Sequence, residues 1–265
     1  MLDGVFERAR AQKRMAFIPY VMAGDPDLET TEAILLALSD AGADVIELGA
    51  PYSDPLADGP TIAAAGQRAL RGATHLREVL ALVLRRRERC APIVLFTYFN
   101  PVYQFGVERF ARETAAAGAA GVIVPDVALD ESAELRAALQ AHGLTMPLLV
   151  APSTPHERAA RIVDATTGFL YVVSRLGVTG TGYAPDFAPL RRQLASLREL
   201  TNKPLAVGFG LSRPQDVRNV GTLADGVVVG SALIDAYTGT RAQEAATRVR
   251  EFVAPLIAAC SLVSA

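Results

Sequence analysis

Short, almost wholly apolar runs recur along the chain, with amphipathic stretches between them. The runs are Met15–Met22 (MAFIPYVM), Val45–Gly49 (VIELG), Ile93–Tyr98, Gly121–Asp126, Pro147–Ala151, Phe169–Ser174, Pro204–Phe209 and Gly226–Gly230. Continuous apolarity suits parallel strands covered on both faces, which have no solvent side to alternate with. The stretches between them have helical spacing. Leu28–Asp40 sets Ile34, Leu35 and Leu38 on one side and stops at Gly42, while Asp130–His142 is expected to open on an Asp cap and close at Gly143. His75–Arg89, Glu108–Ala117, Pro155–Ala165, Asp186–Leu200, Pro214–Val220 and Arg241–Ala259 read the same way. Eight strand-then-helix units in 265 residues predict an α/β protein, a (β/α)8 TIM barrel over residues 1–265 with an extra N-terminal helix. The competing open, doubly wound sheet would want G-x-G-x-x-G after the first strand, where the sequence is AGDPD.

A barrel keeps its chemistry where strands end and βα loops begin, so polar residues there carry the most information. Glu47 lies inside the run V-I-E-L-G. Alternation groups Val45, Glu47 and Gly49 on one face and the bulky Ile46 and Leu48 on the other, which directs Glu47 into the barrel. A carboxyl there is poorly solvated, its pKa rises, and it can serve as a general acid. The bland alternative is a structural ion pair, yet none of the eight runs contains Lys or Arg. The following loop, APYSDPLADGPTI, is stiffened by Pro51, Pro55 and Pro60 and holds Asp54 and Asp58. Asp58 precedes a Gly-Pro-Thr helix entry, where capping and chemistry are both open to it; Glu47 upstream favours chemistry.

Three glycine clusters, Gly177–Gly182, Gly208-Phe209-Gly210 and Gly230-Ser231, sit at the ends of the last strands. Glycine lets backbone approach an anion, and a helix starting at Ser231 would offer free N–H groups. Consecutive clusters there predict a phosphate site built from backbone donors. The glycine-rich segment after strand six, within 175–189, has the composition of a mobile lid. Tyr20, Phe96, Tyr98, Ile123, Tyr171 and Phe209 all fall in or at the ends of strands. Any one of them reads as core. In a chain with ten Phe, seven Tyr and no Trp, however, several aromatics at one barrel end point to a flat apolar substrate moiety.

Composition narrows the field further. Apolar residues make up 51% and charged residues 20%, enough for a sizeable core, and the net charge of −2 gives nucleic acid no basic patch to meet. No apolar run approaches bilayer length, and MLDGVFERARAQKR lacks a signal core, so a cytoplasmic enzyme is expected, without a membrane partner. Cys90 and Cys260 lack metal-ligand spacing and read as free thiols, Cys260 buried. His75, His142 and His156 lie in polar helical stretches, so neither a metal site nor a Ser-His-Asp site is expected.

FIPYVMAGDP (17–26), ELGAPYSDPLADGPTI (47–62), SRLGVTG (174–180), GFG (208–210) and GSA (230–232) together resemble the tryptophan synthase alpha subunit family. Their order and spacing run over nearly the whole chain, and the 47–62 segment is the most specific. The resemblance implies retro-aldol cleavage of indole-3-glycerol phosphate to indole and glyceraldehyde 3-phosphate. It puts catalysis on Glu47 and Asp58, phosphate binding on Gly180, Phe209, Gly210, Gly230 and Ser231, and the indole pocket on Tyr20, Phe96, Tyr98, Ile123, Tyr171, Thr179 and Phe209. It implies an α2β2 heterotetramer in which indole passes to a beta subunit, with Asp54, Pro55 and Asn100 facing that partner. No cofactor is implied for this chain; pyridoxal phosphate is expected only in the partner. The sequence departs modestly from the family pattern in the T-G-T-G-Y-A-P stretch after strand six and at Pro125. Three rivals stand beside this reading: another phosphate-binding barrel enzyme, a free-standing indole-releasing lyase, and a non-catalytic activating partner. The inward Glu47 argues against the last, and stimulation by a beta subunit separates the second.

Overall fold

The computed structural model describes residues 2–174, 187–208 and 210–261. The first half of the chain forms α1 (Asp3–Ala11), β1 (Ala16–Met22), α2 (Leu28–Ala41), β2 (Ile46–Gly49), α3 (Pro60–Arg71), α4 (Leu76–Arg86), β3 (Ile93–Phe96), α5 (Phe99–Phe105), α6 (Val107–Ala117) and β4 (Gly121–Ile123). The second half forms α7 (Ala133–Ala141), β5 (Leu149–Val150), α8 (His156–Ala165), β6 (Leu170–Val173), α9 (Phe187–Leu200), β7 (Leu205–Gly208), α10 (Pro214–Val220), β8 (Gly226–Val229), α11 (Ser231–Tyr237) and α12 (Ala242–Ala259). The strands pair in parallel in the order β4-β3-β2-β1-β8-β7-β6-β5. The remaining seam is bridged just upstream of β5, where Val122 N–H donates to Thr145 O at 2.9 Å and Thr145 N–H donates to Ala120 O at 3.2 Å. Only glycine fits at 121, because a Cβ there would lie 2.6 Å from the Thr145 carbonyl oxygen. The result is the expected TIM barrel.

Two local expectations change. The fifth strand shrinks from Pro147–Ala151 to Leu149–Val150. Pro147 has no N–H to give, and the flanking Met146 and Leu148 N–H groups donate at 2.7 Å to the Thr167 and Thr166 hydroxyls, not to a neighbouring strand. Asp130 does not cap the next helix. It lies in a 3-10 turn, Leu129–Glu131, and α7 starts after Ser132, while the Asp130 carboxylate turns to Arg161 and Arg158 of α8. Two nearby guanidinium groups outbid the helix start. The α2 helix follows its pattern: Asp27 accepts from Thr30 N–H at 2.7 Å, Ile34, Leu35 and Leu38 are buried, and Gly42 ends it at φ 99°.

The two ends of the barrel have different duties. At the N-terminal end, α1 buries Leu2, Val5, Phe6 and Ala9, and the Phe6 ring lies 5.5 Å from Phe169 beside the entry to β6. Arg10 and Arg198 both pair with Asp225, at 2.8 and 2.5 Å, and Asp225 also accepts the Leu205 N–H. This helix and its ion pairs close that end, leaving the C-terminal ends, where the βα loops gather, for chemistry. Register then sets the inner lining. Tyr20, Glu47, Val94 and Gly121 stand side by side in one row, and Met22, Gly49, Phe96 and Ile123 in the next.

Candidate active site

Register and alternation put Glu47 on the inner row, and it is 1% exposed. Its Oε1 has no hydrogen-bond partner among the described residues, and burial pushes its pKa up to about 8. The charge it would carry reaches two inward tyrosines, raising the pKa of both Tyr20 and Tyr171 beyond what burial alone does. Both rings are buried because small residues make room for them. A Cβ on Gly49 would lie 2.1 Å from the Tyr20 hydroxyl, and one on Gly208 would lie 2.2 Å from the Tyr171 hydroxyl. Tyr20 also meets Phe96 edge to face, centroids 5.6 Å apart. Glu47, Tyr20, Phe96, Ile123 and Tyr171 are thus all buried, with the Glu47 carboxyl set among aromatic and apolar side chains.

Asp58 comes to this group from above, on the loop between β2 and α3. It does not cap α3, whose first turn follows Gly59 with no side-chain cap bond. Its Oδ1 instead accepts from the Tyr98 hydroxyl at 2.8 Å, while the Tyr98 oxygen accepts the Ala57 N–H at 3.1 Å. Burial raises the Asp58 pKa, and the Tyr98 hydrogen bond opposes that rise. Asp58 and Tyr98 both bear on the Tyr20 hydroxyl, so the loop carboxylate and the inner row share one electrostatic environment.

The glycine end is partly described. Thr179, Gly180 and Phe209 lie outside the described residues, as do 175–186 of the segment after β6. Gly210 is exposed and holds φ 85°, a conformation glycine adopts without strain. Gly230 precedes α11, and a Cβ on it would lie 3.5 Å from Tyr20 Cβ, so Gly230 packs beside Tyr20 and Ser231 opens the helix that follows. Asp54 and Asn100 are exposed on the outer edge and Pro55 is half-buried there. Beside them Leu56 is 81% exposed and Tyr103 66% exposed. Sequence reasoning missed Tyr52: its ring lies 5.4 Å from Tyr98 and its hydroxyl accepts from Asn100 Nδ2 at 3.2 Å. The available signal was an aromatic residue between prolines in a loop otherwise made of small and acidic residues. Asp126, noted only as a strand-end residue, holds the Phe99 N–H at 2.9 Å and so starts α5.

The profile of the family described as tryptophan synthase alpha chain matches residues 6–260. The chain belongs to the tryptophan synthase alpha chain family. It is 48% identical to the tryptophan synthase alpha chain of Gloeobacter violaceus, covering 94% of this chain and 90% of that protein. It is 43% identical to that of Arabidopsis thaliana, covering 95% and 92%. Among solved structures, tryptophan synthase from Mycobacterium tuberculosis superposes with a TM-score of 0.91 at 40% identity, covering 99% and 98%. The Legionella pneumophila alpha subunit superposes with a TM-score of 0.89 at 34% identity, covering 99% and 98%. The chain is accordingly a carbon–carbon lyase of tryptophan biosynthesis that cleaves indole-3-glycerol phosphate and works with a beta subunit. Among the described residues, no helix is long and apolar enough to cross a membrane and no cluster of three His, Cys, Asp or Glu could hold a metal ion.

Proposed function

We propose that Glu47 is the proton shuttle of the cleavage and Asp58 the group that takes the indole N–H. The observation that carries this is a buried carboxyl whose Oε1 has no partner among the described residues and whose pKa is pushed up to about 8, which leaves it protonated at neutral pH. A retro-aldol needs an electron sink. Protonation of indole C3 by Glu47 makes one, because the ring then carries an iminium. The Glu47 carboxylate next takes the proton from the glycerol hydroxyl beside the scissile bond. The C–C pair then returns to the indole ring as the hydroxyl carbon becomes the aldehyde of glyceraldehyde 3-phosphate. Asp58, ionised and held by Tyr98, stabilises the positive charge that develops on the indole nitrogen.

Tyr20, Phe96, Tyr98, Ile123 and Tyr171 enclose the indole in this reading, with Thr179 and Phe209 contributing from outside the described residues. Gly210, Gly230 and Ser231, together with Gly180 and Phe209, bind the phosphate through backbone N–H groups. The residues proposed for catalysis need no cofactor; pyridoxal phosphate belongs to the beta subunit. The α2β2 assembly takes the edge carrying Asp54, Pro55 and Asn100, and the enzyme works in the cytoplasm. Indole release by the purified chain, with Glu47→Gln and Asp58→Asn beside the wild type, tests the assignment. Appreciable turnover by the Glu47→Gln chain, folded and still retained by a phosphate analogue, overturns it.

A further inference from the structure

Tyr98 has more to do in this structure than line the chamber. Its hydroxyl has one proton and two neighbours of fixed character. The Ala57 N–H, 3.1 Å away, can only donate, so the Tyr98 oxygen accepts there. Its single proton must then point at Asp58 Oδ1, 2.8 Å away. A donor locked in that direction suits a carboxylate and leaves the second Asp58 oxygen for another donor. On the other side of the ring Tyr98 meets Tyr52 at 5.4 Å between centroids, and the Tyr52 hydroxyl accepts from Asn100 Nδ2 at 3.2 Å. Asn100 is exposed, next to exposed Tyr103 and on the same edge as Asp54 and Leu56. One short path of contacts therefore runs from the outer edge to the Asp58 carboxylate.

We infer that Tyr98 is the positioning residue of the Asp58 carboxylate, and that Tyr52 and Asn100 tie it to the partner-facing edge, so that a docked beta subunit acts on Asp58 through this path. The inference rests on the reading of Asp58 as the indole N–H acceptor. The energetic logic is local. Without the Tyr98 hydroxyl, Asp58 loses a charge-assisted hydrogen bond in a half-buried site, and the Ala57 N–H loses its acceptor. Among the described residues, the titratable groups that interact with this pair are Tyr20 from β1, which feels both Asp58 and Tyr98, and Asp126 from the β4 exit, which acts on Tyr98. Neither carries a positive charge, so neither replaces the lost stabilisation of the Asp58 anion.

The test is the pH profile of indole release, alone and with saturating tryptophan synthase beta subunit, for wild type, Asp58→Asn, Tyr98→Phe and Tyr52→Phe. Tyr98→Phe keeps the ring and its stacking. It is expected to lower kcat about tenfold with a smaller change in KM, and to move the acid limb to higher pH, since the lost bond favoured the ionised form. Tyr52→Phe is expected to lower the stimulation by the beta subunit more than it lowers turnover of the isolated chain. A carboxyl titration of Asp58 by 13C NMR, in wild type and Tyr98→Phe, reads the same shift without requiring turnover. An unchanged acid limb and Asp58 titration in Tyr98→Phe overturns the positioning role. Full stimulation of Tyr52→Phe overturns the link to the edge. Retained activity in Asp58→Asn overturns the reading beneath, whereas an inactive Asp58→Asn beside an unperturbed Tyr98→Phe sinks this inference alone.

Discussion

Glu47 and Asp58 carry the same functional group in opposite settings. Glu47 stands on a strand, 1% exposed, its Oε1 without a partner among the described residues, and its pKa is driven to about 8 by burial alone. Asp58 stands on a loop, half-buried and gripped by a tyrosine hydroxyl, so its rise is opposed. Desolvation without compensation makes a carboxyl an acid at neutral pH; a hydrogen-bond donor keeps its neighbour an anion. The strand offers rigidity and dryness, the loop an adjustable partner, and the proposed chemistry uses each where it is found.

The contrast can be broken from its strong side first. Glu47→Gln is expected to cut indole release by about 10³-fold or more, because the buried proton donor is lost, and a coupled indole assay measures it. The same substitution has a pH signature in stability. The folded state keeps the Glu47 proton between the ordinary value of 4.5 and about 8 while the unfolded chain releases it, so wild-type stability falls as pH rises through that window. The glutamine variant does not titrate there. Its stability relative to wild type is expected to climb by on the order of 4 kcal/mol across the window, read by urea unfolding at its two ends. A flat difference would mean that Glu47 is solvated or paired.

Asp58 supplies the weaker arm. Asp58→Asn is expected to lower indole release by about 10²-fold, the cost of losing one stabilising charge at a developing cation. Its stability is expected to change by less than about 1 kcal/mol, since it caps no helix and is only half-buried. If thermal unfolding moves strongly while activity survives, the loop carboxylate is structural and the comparison collapses.

How legible this was in the sequence depends on the range of the interaction. Glu47 could be placed inside the barrel because alternation within V-I-E-L-G is local, and Ile34, Leu35 and Leu38 fell on the buried face of α2 for the same reason. The fifth strand was misjudged because its N–H groups go to Thr166 and Thr167, some twenty positions away. Asp130 looked like a cap until α8 brought two arginines to it. Tyr52 gave almost no signal, since its importance lies in the ring stacked on Tyr98 and the amide of Asn100.

The sequence by itself determined the alternation of strands and helices, the inward direction of Glu47, the stiffness of the loop bearing Asp58 and the family. All of these follow from periodicity, proline and glycine chemistry, or a contiguous motif. Only the tertiary structure decided what each carboxylate meets. Glu47 Oε1 finds no hydrogen-bond partner among the described residues, although register sets it between Tyr20 and Val94 on the inner row. Asp58 meets Tyr98, because closing the barrel sets the exit of β3 beside the loop leaving β2. Proton affinity depends on such neighbours, and neighbours across a barrel are a property of its closure.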